Sequence, residues 1–290
     1  MQQHLLKAKE SVRCGALYVV ATPIGNLSDI SLRALAVLER ADVVCAEDTR
    51  VTARLLAAYG IRSSLISVRE HNEQEMAQKI IARLQAGEVV AQVSDAGTPA
   101  ICDPGARLVQ AVRTAGLAVY PIPGASAVTA ALSAAGLVAE DFYFGGFLPA
   151  KKSERQKRLT ELYAYACPVV VYETPHRIAD TLRDMSTLPE RTVTLARELT
   201  KTFETMLSGS PQDLLHILDN DTNQSKGEMV LLLHPLEKTA AAGESADVEK
   251  MLQVLAAELP TKHAAQLAAQ ISGLNKKTLY ERILTLKNTP

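Results

Sequence analysis

The chain has 290 residues, 47% of them apolar, a formal net charge of −1 and no tryptophan. That is enough for two ordinary domains with full cores, which Ala, Val and Leu must build because aromatics are few. Near-neutrality excludes a whole-molecule field that would draw in a polyanion, although a local basic face could still bind one.

Residues 1–14 contain no apolar stretch of signal-peptide length and read as a frayed polar tail. Leu17–Ala21 is the first strand, ending in Thr22-Pro23-Ile24-Gly25-Asn26. A helix follows over Leu32–Arg40, capped by Ser31 or Asp29. Asp42–Ala46 is a short strand that runs straight into Glu47-Asp48-Thr49-Arg50, and a helix over Val51–Tyr59 stops at Gly60. Leu65–Val68 is a further strand. Glu73–Gln85 has helical apolar spacing at Met76, Ile80, Ile81 and Leu84. Val89–Val93 is a buried strand, and after it Gly97, Pro99, Pro104 and Gly105 force a loop before a helix over Ala106–Ala115. Leu117–Tyr120 is the next strand. Strand and helix alternate steadily to about residue 122, which predicts a parallel, doubly wound α/β sheet.

Beyond Gly124 the spacing predicts a helix over Ala125–Ala135, a strand-like Asp141–Phe147 and a basic segment over 151–158. A buried strand, Val169–Tyr172, precedes Glu173-Thr174-Pro175-His176-Arg177 and a helix to about Met185. Thr192–Arg197 and Met229–Leu233 complete this strand set, with a helix near Pro211–Leu218 between them. The result is a second α/β domain over 125–236, after a first over 15–122. The small-residue stretch KTAAAGESAD reads as a linker to a helical domain over 246–287, in which Gly273 stands where a helix-turn-helix needs its tight turn. Residues 114–139 carry no charge, but Gly116, Pro121, Pro123, Gly124 and Gly136 interrupt them, so no membrane span is expected. Cys14, Cys45, Cys102 and Cys167 lack the spacing of a zinc knuckle or a redox pair and read as reduced thiols of a cytoplasmic protein.

The loops after the strands carry the functional signal. Open α/β sheets bind ligands at the carboxyl ends of their strands. Four similar loops, in LYVVATPIGN, VVAQVSDAGTPAICDPG, LAVYPIPGAS and VVVYETPHR, would share one crevice large enough for a sizeable small molecule. Neither GxxxxGK[ST] nor GxGxxG is present, which makes ATP and NAD poor candidates. Backbone-lined loops without a phosphate cradle suit S-adenosylmethionine. Each loop taken alone reads first as a strand-to-helix turn; the four together are what point to a ligand.

These loops, together with AEDTR, ARELTKTFE and GEMVLL, resemble the tetrapyrrole methylase superfamily, and within it the branch that acts on ribosomal RNA. The resemblance covers about residues 15–287. It implies two α/β domains with S-adenosyl-L-methionine in the cleft between them, usually in a homodimer. It also implies 2′-O-methylation of a decoding-centre cytidine (cytidine 1402) of 16S rRNA in the small ribosomal subunit. By the same resemblance the cofactor would meet Pro23, the loop Ser94 to Pro99 with Asp95, Gly97 and Thr98, then Ala125, Ser126, Tyr172, Ala196 and Arg197. Relatives that modify tetrapyrroles carry a glycine-rich first loop, which Pro23 interrupts here.

Methyl transfer to a ribose hydroxyl needs an in-line approach and somewhere for the hydroxyl proton to go. Glu47, Asp48 and Arg50 emerge together at a strand end and are the favoured catalytic group, with Glu173 at a second strand end; the alternative is a helix cap with a surface ion pair. No His/Cys/Asp cluster has metal-ligand spacing, so no metal is expected in the chemistry. Lys151, Lys152, Arg155, Lys157 and Arg158 place five cations in eight residues and are the expected RNA contacts. Phe142, Tyr143, Phe144 and Phe147 read either as core or as surfaces for splayed bases. A methylase of a tetrapyrrole-type small molecule and a non-catalytic RNA-binding factor are the rival readings; neither the basic segment nor the helical tail is needed by the first.

Overall fold

The structure, a computed structural model, describes residues 2–235 and 243–288. It divides into two compact units, Met1–Pro235 and Leu236–Pro290. The first unit opens with α1 (Gln2–Glu10), β1 (Ala16–Val20), α2 (Leu32–Arg40), β2 (Val43–Ala46), α3 (Thr49–Ala58), β3 (Ser64–Ser67), α4 (Glu73–Gln85), β4 (Val90–Gln92), α5 (Ala106–Thr114) and β5 (Ala118–Ile122). The strands pair in the order β3-β2-β4-β1-β5, each pair parallel. Alternation along β1 explains why both faces are covered. Leu17 packs with Ile80 and Leu84 of α4 and Leu108 of α5. Tyr18 and Val20 face the other way, toward Ala34, Val37 and Leu38 of α2 and Leu56 of α3. This is the doubly wound sheet that the alternating pattern predicts.

The unit continues with α6 (Ala127–Ala134), β6 (Tyr143–Phe147), α7 (Lys152–Tyr163), β7 (Val169–Glu173), α8 (Ile178–Met185), β8 (Val193–Arg197), β9 (Thr205–Gly209), α9 (Pro211–Asn220) and β10 (Met229–Leu233). The second sheet runs β6-β7-β10-β8-β9, and only β6 and β7 are parallel. One face packs under Leu159, Leu162, Leu182, Met185, Leu214 and Leu218 of α7, α8 and α9. The other presents Val170, Ala196, Val230 and Leu232 to Val128 and Ala131 of α6 and to Ile24 and Leu199. That second face is the wall against which the site is built.

Three features depart from the sequence reading. The N-terminal tail is helical: its Gln, Leu, Lys and Ala are good helix formers, and Lys9 pairs with Glu39 of α2 at 2.6 Å. Strand β9 went unread because TMLSG is a half-buried edge with little apolar signal; it ends directly in the Ser210–Asp213 capping box of α9. The basic segment is the first half of α7. Residues 114–139 are divided among the end of α5, β5 and the eight-residue α6, and no described helix is long and apolar enough to cross a membrane.

The second unit holds α10 (Gly243–Glu258), α11 (Thr261–Ser272) and α12 (Lys276–Asn288) around Leu252, Ala264, Ala265, Ala268, Leu279 and Ile283. Gly273 ends α11 at φ +70°, the left-handed turn expected of it. The first part of the expected linker lies outside the described residues, and α10 already begins at Gly243 within it.

Candidate active site

Loops at the carboxyl ends of β1, β2 and β4 meet the apolar face of the second sheet around a cavity of about 420 Å³. The loops after β1 and β4 are joined by backbone: Thr22 N–H donates to Gly97 C=O at 2.9 Å and Gly97 N–H returns to Thr22 C=O at 3.1 Å. Gly97 has φ +79°, a left-handed backbone that side chains rarely adopt, so the turn favours glycine there. The Thr98 hydroxyl then donates to Ala125 C=O at 3.2 Å, tying in the loop before α6.

Of the residues expected at the cofactor, Asp95, Gly97, Thr98, Ser126, Tyr172 and Ala196 line this cavity. Ser126 is the N-cap of α6, yet its side chain makes no capping bond. Its hydroxyl is therefore free for a ligand. Tyr172 is pushed up to about 12, chiefly by burial, and so stays a protonated donor. Ala196 points into the cavity from β8, whose alternation turns the next residue away.

Four of the expected residues lie outside the cavity lining. Arg197 is buried on the opposite side of β8, where it donates to Phe203 C=O at 2.8 Å, Thr205 Oγ1 at 3.1 Å, and Gln224 Oε1 and Lys226 C=O at 3.2 Å. Pro23 is buried inside its loop, and its neighbour Ile24 supplies the wall instead. Ser94 and Ala125 lie behind the lining: the Ser94 hydroxyl donates to Ala96 C=O at 3.2 Å, and Ala125 receives Thr98. These residues brace loops rather than face the cavity.

The catalytic expectations divide in the same way. Glu47 lines the cavity. Asp48 caps α3 through Arg50 N–H at 2.8 Å, and its carboxylate chelates the Arg50 guanidinium, which holds it well below the usual range. Arg50 itself is 81% exposed and engaged in that pair. Glu173 also lines the cavity, but it is buried, and its oxygens accept from Thr174 N–H at 2.8 Å, Thr181 Oγ1 at 2.8 Å and Arg177 Nε at 2.9 Å. Three of the roughly four acceptor positions of that carboxylate are thereby taken, which fixes the end of β7.

Asp103 stands outside the catalytic group favoured from sequence. It lines the cavity beside Glu47 and Asp95. Burial, then the Asp95 charge, pushes its carboxyl upward against the opposing effect of the nearby Ser94 hydroxyl. Glu47 is raised by burial and by the charges of Asp95 and Asp103. Three carboxylates thus share one rim, and two of them have heightened proton affinity, the property of a base poised for proton transfer.

All the non-glycine residues with positive φ among those described, Ala100, Cys102, Glu198 and Thr200, lie in two loops that line this cavity. Ile101 is held between the first pair and Leu199 between the second, each facing the cavity. Such outliers gather where a side chain must be aimed against the backbone's preference.

The basic segment is only partly a surface. Arg155 is 4% exposed and paired with Asp184, itself 5% exposed, at 2.8 Å. It cannot reach a phosphate. Arg158 is half-buried between the Tyr143 hydroxyl at 2.9 Å and Glu161 at 3.0 Å. Lys151 is exposed and weakly paired with Glu154 at 3.2 Å; Lys152 and Lys157 are exposed.

Residues 16–215 match the family model described as Tetrapyrrole (Corrin/Porphyrin) Methylases, and 242–287 match that of an RsmI C-terminal HTH domain. The chain is 59% identical over 288 residues to a protein named Ribosomal RNA small subunit methyltransferase I from Neisseria meningitidis serogroup B, covering 99% of both chains. It is 48% identical over 275 residues to the Pseudomonas aeruginosa protein of that name, covering 93% of this chain and 97% of that one. In fold it resembles the crystal structure of uroporphyrin-III C-methyltransferase from Thermus thermophilus complexed with S-adenyl homocysteine. That match has a TM-score of 0.51 at 16% identity, over 75% of this chain and 96% of the other.

Proposed function

The chain belongs to the tetrapyrrole (corrin/porphyrin) methylase family, in its ribosomal-RNA methyltransferase branch, and from that premise we propose that it transfers a methyl group from S-adenosylmethionine to a ribose 2′-hydroxyl of small-subunit rRNA. The nucleotide is the decoding-centre cytidine 1402. The observation that carries the reading is the grouping of Glu47, Asp95 and Asp103 on one side of a cavity whose lining also holds backbone, apolar side chains such as Ile24, Ala196 and Val230, and the Ser126 hydroxyl. Its volume falls within the usual range of small-molecule sites, roughly 300–1,000 Å³.

The residues fit the cofactor. Gly97 and Thr98 give a backbone floor, the free Ser126 hydroxyl a hydrogen bond, Ala196 and Val230 an apolar slot, and the carboxylates a counter-charge for a cationic ligand. When bound, S-adenosylmethionine supplies a methyl group already activated on a sulfonium. The protein has to hold the ribose oxygen in line and receive its proton. Asp103 and Glu47 are the acceptors, their proton affinity raised toward that of a working base. Lys151, Lys152 and Lys157 are the surface cations that meet RNA phosphates.

In this reading 15–122 and 125–236 are the two domains around the cofactor and 246–287 a helical appendage. The enzyme works in the cytoplasm as a homodimer, a state that light scattering would test. The decisive assay incubates the protein with a labelled methyl donor and either small ribosomal subunits, naked 16S rRNA or a uroporphyrinogen-type compound. Label recovered as 2′-O-methylcytidine supports the reading; label on the macrocycle alone overturns it.

A further inference from the structure

The pairing of β6 with β7 slips by one residue. Tyr143 pairs with Val169 and Phe144 with Val170, but Phe147 pairs with Tyr172, so three steps on β6 match two on β7. The extra residue sits at Gly145–Gly146, with Gly146 at φ +65°. Side chains alternate along a strand, so one inserted residue changes the face of everything after it. Tyr143 and Gly145 face the core under α7, where a Cβ on Gly145 would meet Val171 and Leu162. Without the bulge, Phe147 would point there too. With it, the Phe147 ring lies 5.2 Å from the Tyr172 ring, tilted by 55°, and lines the cavity.

There the ring is 53% exposed. Phe144, on the same face, is edge-on to Tyr172 at 5.1 Å and belongs to the packed wall. Tyr143 is stacked on Tyr165 at 4.3 Å. Phe142 lies outside the lining. Phe147 is therefore the one ring of this segment presented at the open side of the cavity. It adjoins the loop that carries Asp103: the Phe147 backbone N–H faces the Cys102 sulfur. The cofactor floor, by contrast, is made of buried residues such as Gly97 and Ala196.

We propose that the bulge aims Phe147 to act as the stacking platform for the base of the nucleotide being methylated, setting its ribose against the Asp103 side of the rim. The proposal rests on the rRNA ribose-methylation reading above. Single-stranded bases are commonly held on aromatic faces, and removing such a face costs about ten- to a hundred-fold in binding.

The chain contains no tryptophan, so F147W carries a single reporter at this position. Its emission is expected to quench on titration with a small-subunit rRNA fragment and to stay unchanged with S-adenosylhomocysteine alone. F147A is expected to lose about ten- to a hundred-fold in kcat/KM for its RNA substrate with unaltered S-adenosylhomocysteine affinity, while F147Y and F147W stay close to the unsubstituted protein. G146V, which strains the bulge and turns the ring away, should copy F147A. Quenching by S-adenosylhomocysteine alone, with weakened cofactor binding in F147A, would assign the ring to the cofactor and overturn the proposal. So would wild-type kinetics in F147A. If the unsubstituted protein transfers no methyl to rRNA, the functional reading fails; the quenching titration, which needs no turnover, still decides whether the ring meets RNA.

Discussion

Asp95 Oδ1 accepts the backbone N–H of Asp48 at 3.1 Å, a bond that joins the loop after β4 to the loop after β2 across 47 residues of chain. Asp95 therefore acts both as a loop fastener and as a charge on the cavity rim. The two roles separate in D95N, which keeps an acceptor oxygen and loses the charge. D95A is expected to lose at least about ten-fold in S-adenosylhomocysteine affinity by calorimetry, the scale of one charge-assisted hydrogen bond. Both variants should lower the proton affinity of Glu47 and Asp103, which NMR titration of the carboxyl carbons would read. Unchanged affinity in D95A would remove Asp95 from the ligand site.

The raised carboxyls set the pH dependence. A base must be ionised to accept a proton, so kcat/KM should fall as pH drops through values above the ordinary carboxylate range. D103N should lower kcat by about 10²–10⁴-fold and erase or shift that limb. The stability sign is opposite. A carboxyl whose folded pKa is raised contributes stability that is present in acid and lost as pH rises through the raised value. D103N should therefore melt higher than the unsubstituted protein at neutral pH while turning over more slowly. A variant both less stable and fully active would contradict both assignments.

Arg155 and the exposed lysines of α7 should respond to substitution in different measurements. R155A leaves the buried Asp184 with the Gln156 amide but without its charge partner, at a cost of about 3–5 kcal/mol in denaturant unfolding. Replacing Lys151, Lys152 and Lys157 by glutamine should leave the melting temperature almost unmoved. It should also flatten the plot of log affinity for RNA against log salt by about 0.7–0.9 for each phosphate no longer neutralised. A slope identical to the original would show that these charges do not meet phosphate.

The helices after Pro235 fill a core of their own with Leu252, Ala264, Leu279 and Ile283. A chain ending at Pro235 should consequently fold and bind S-adenosylhomocysteine with affinity within about two-fold of the full protein, since 1.4 kcal/mol is already ten-fold. Loss of cofactor binding on truncation would mean that the second unit supports the site.

What could be read from sequence was whatever depends on local pattern. The parallel sheet followed from apolar runs alternating with helical spacing, and the crevice from glycine and proline at strand ends. Asp95, Gly97 and Ser126 were legible because a loop residue just past a buried strand has few places to point. Side-chain direction was not legible. Ala196 and Arg197 are neighbours on opposite faces of β8, and only the sheet decides which one meets the cavity. The same holds for Arg155: its charge reads as surface until Asp184, 29 residues on, is found buried beside it. For Phe147 the sequence leaves core and base-stacking surface both open, for a subtler reason. Counting by twos along YFGGF assigns it to the core, and the bulge that reverses the count becomes visible only when β7 is laid alongside.

The left-handed residues on either side of Ile101 and Leu199 have an evolutionary consequence. Thr200 is β-branched at φ +67°, and its hydroxyl is buried without a partner. Strain of this kind is worth about 1–3 kcal/mol per residue, so a screen for heat-tolerant variants should repeatedly return glycine or asparagine at Ala100, Cys102, Glu198 or Thr200. Those gains should arrive together with slower turnover, because the freed backbone no longer presses Ile101 or Leu199 inward. Thermal selection alone, with no ligand in the tube, would then trace the outline of the cleft.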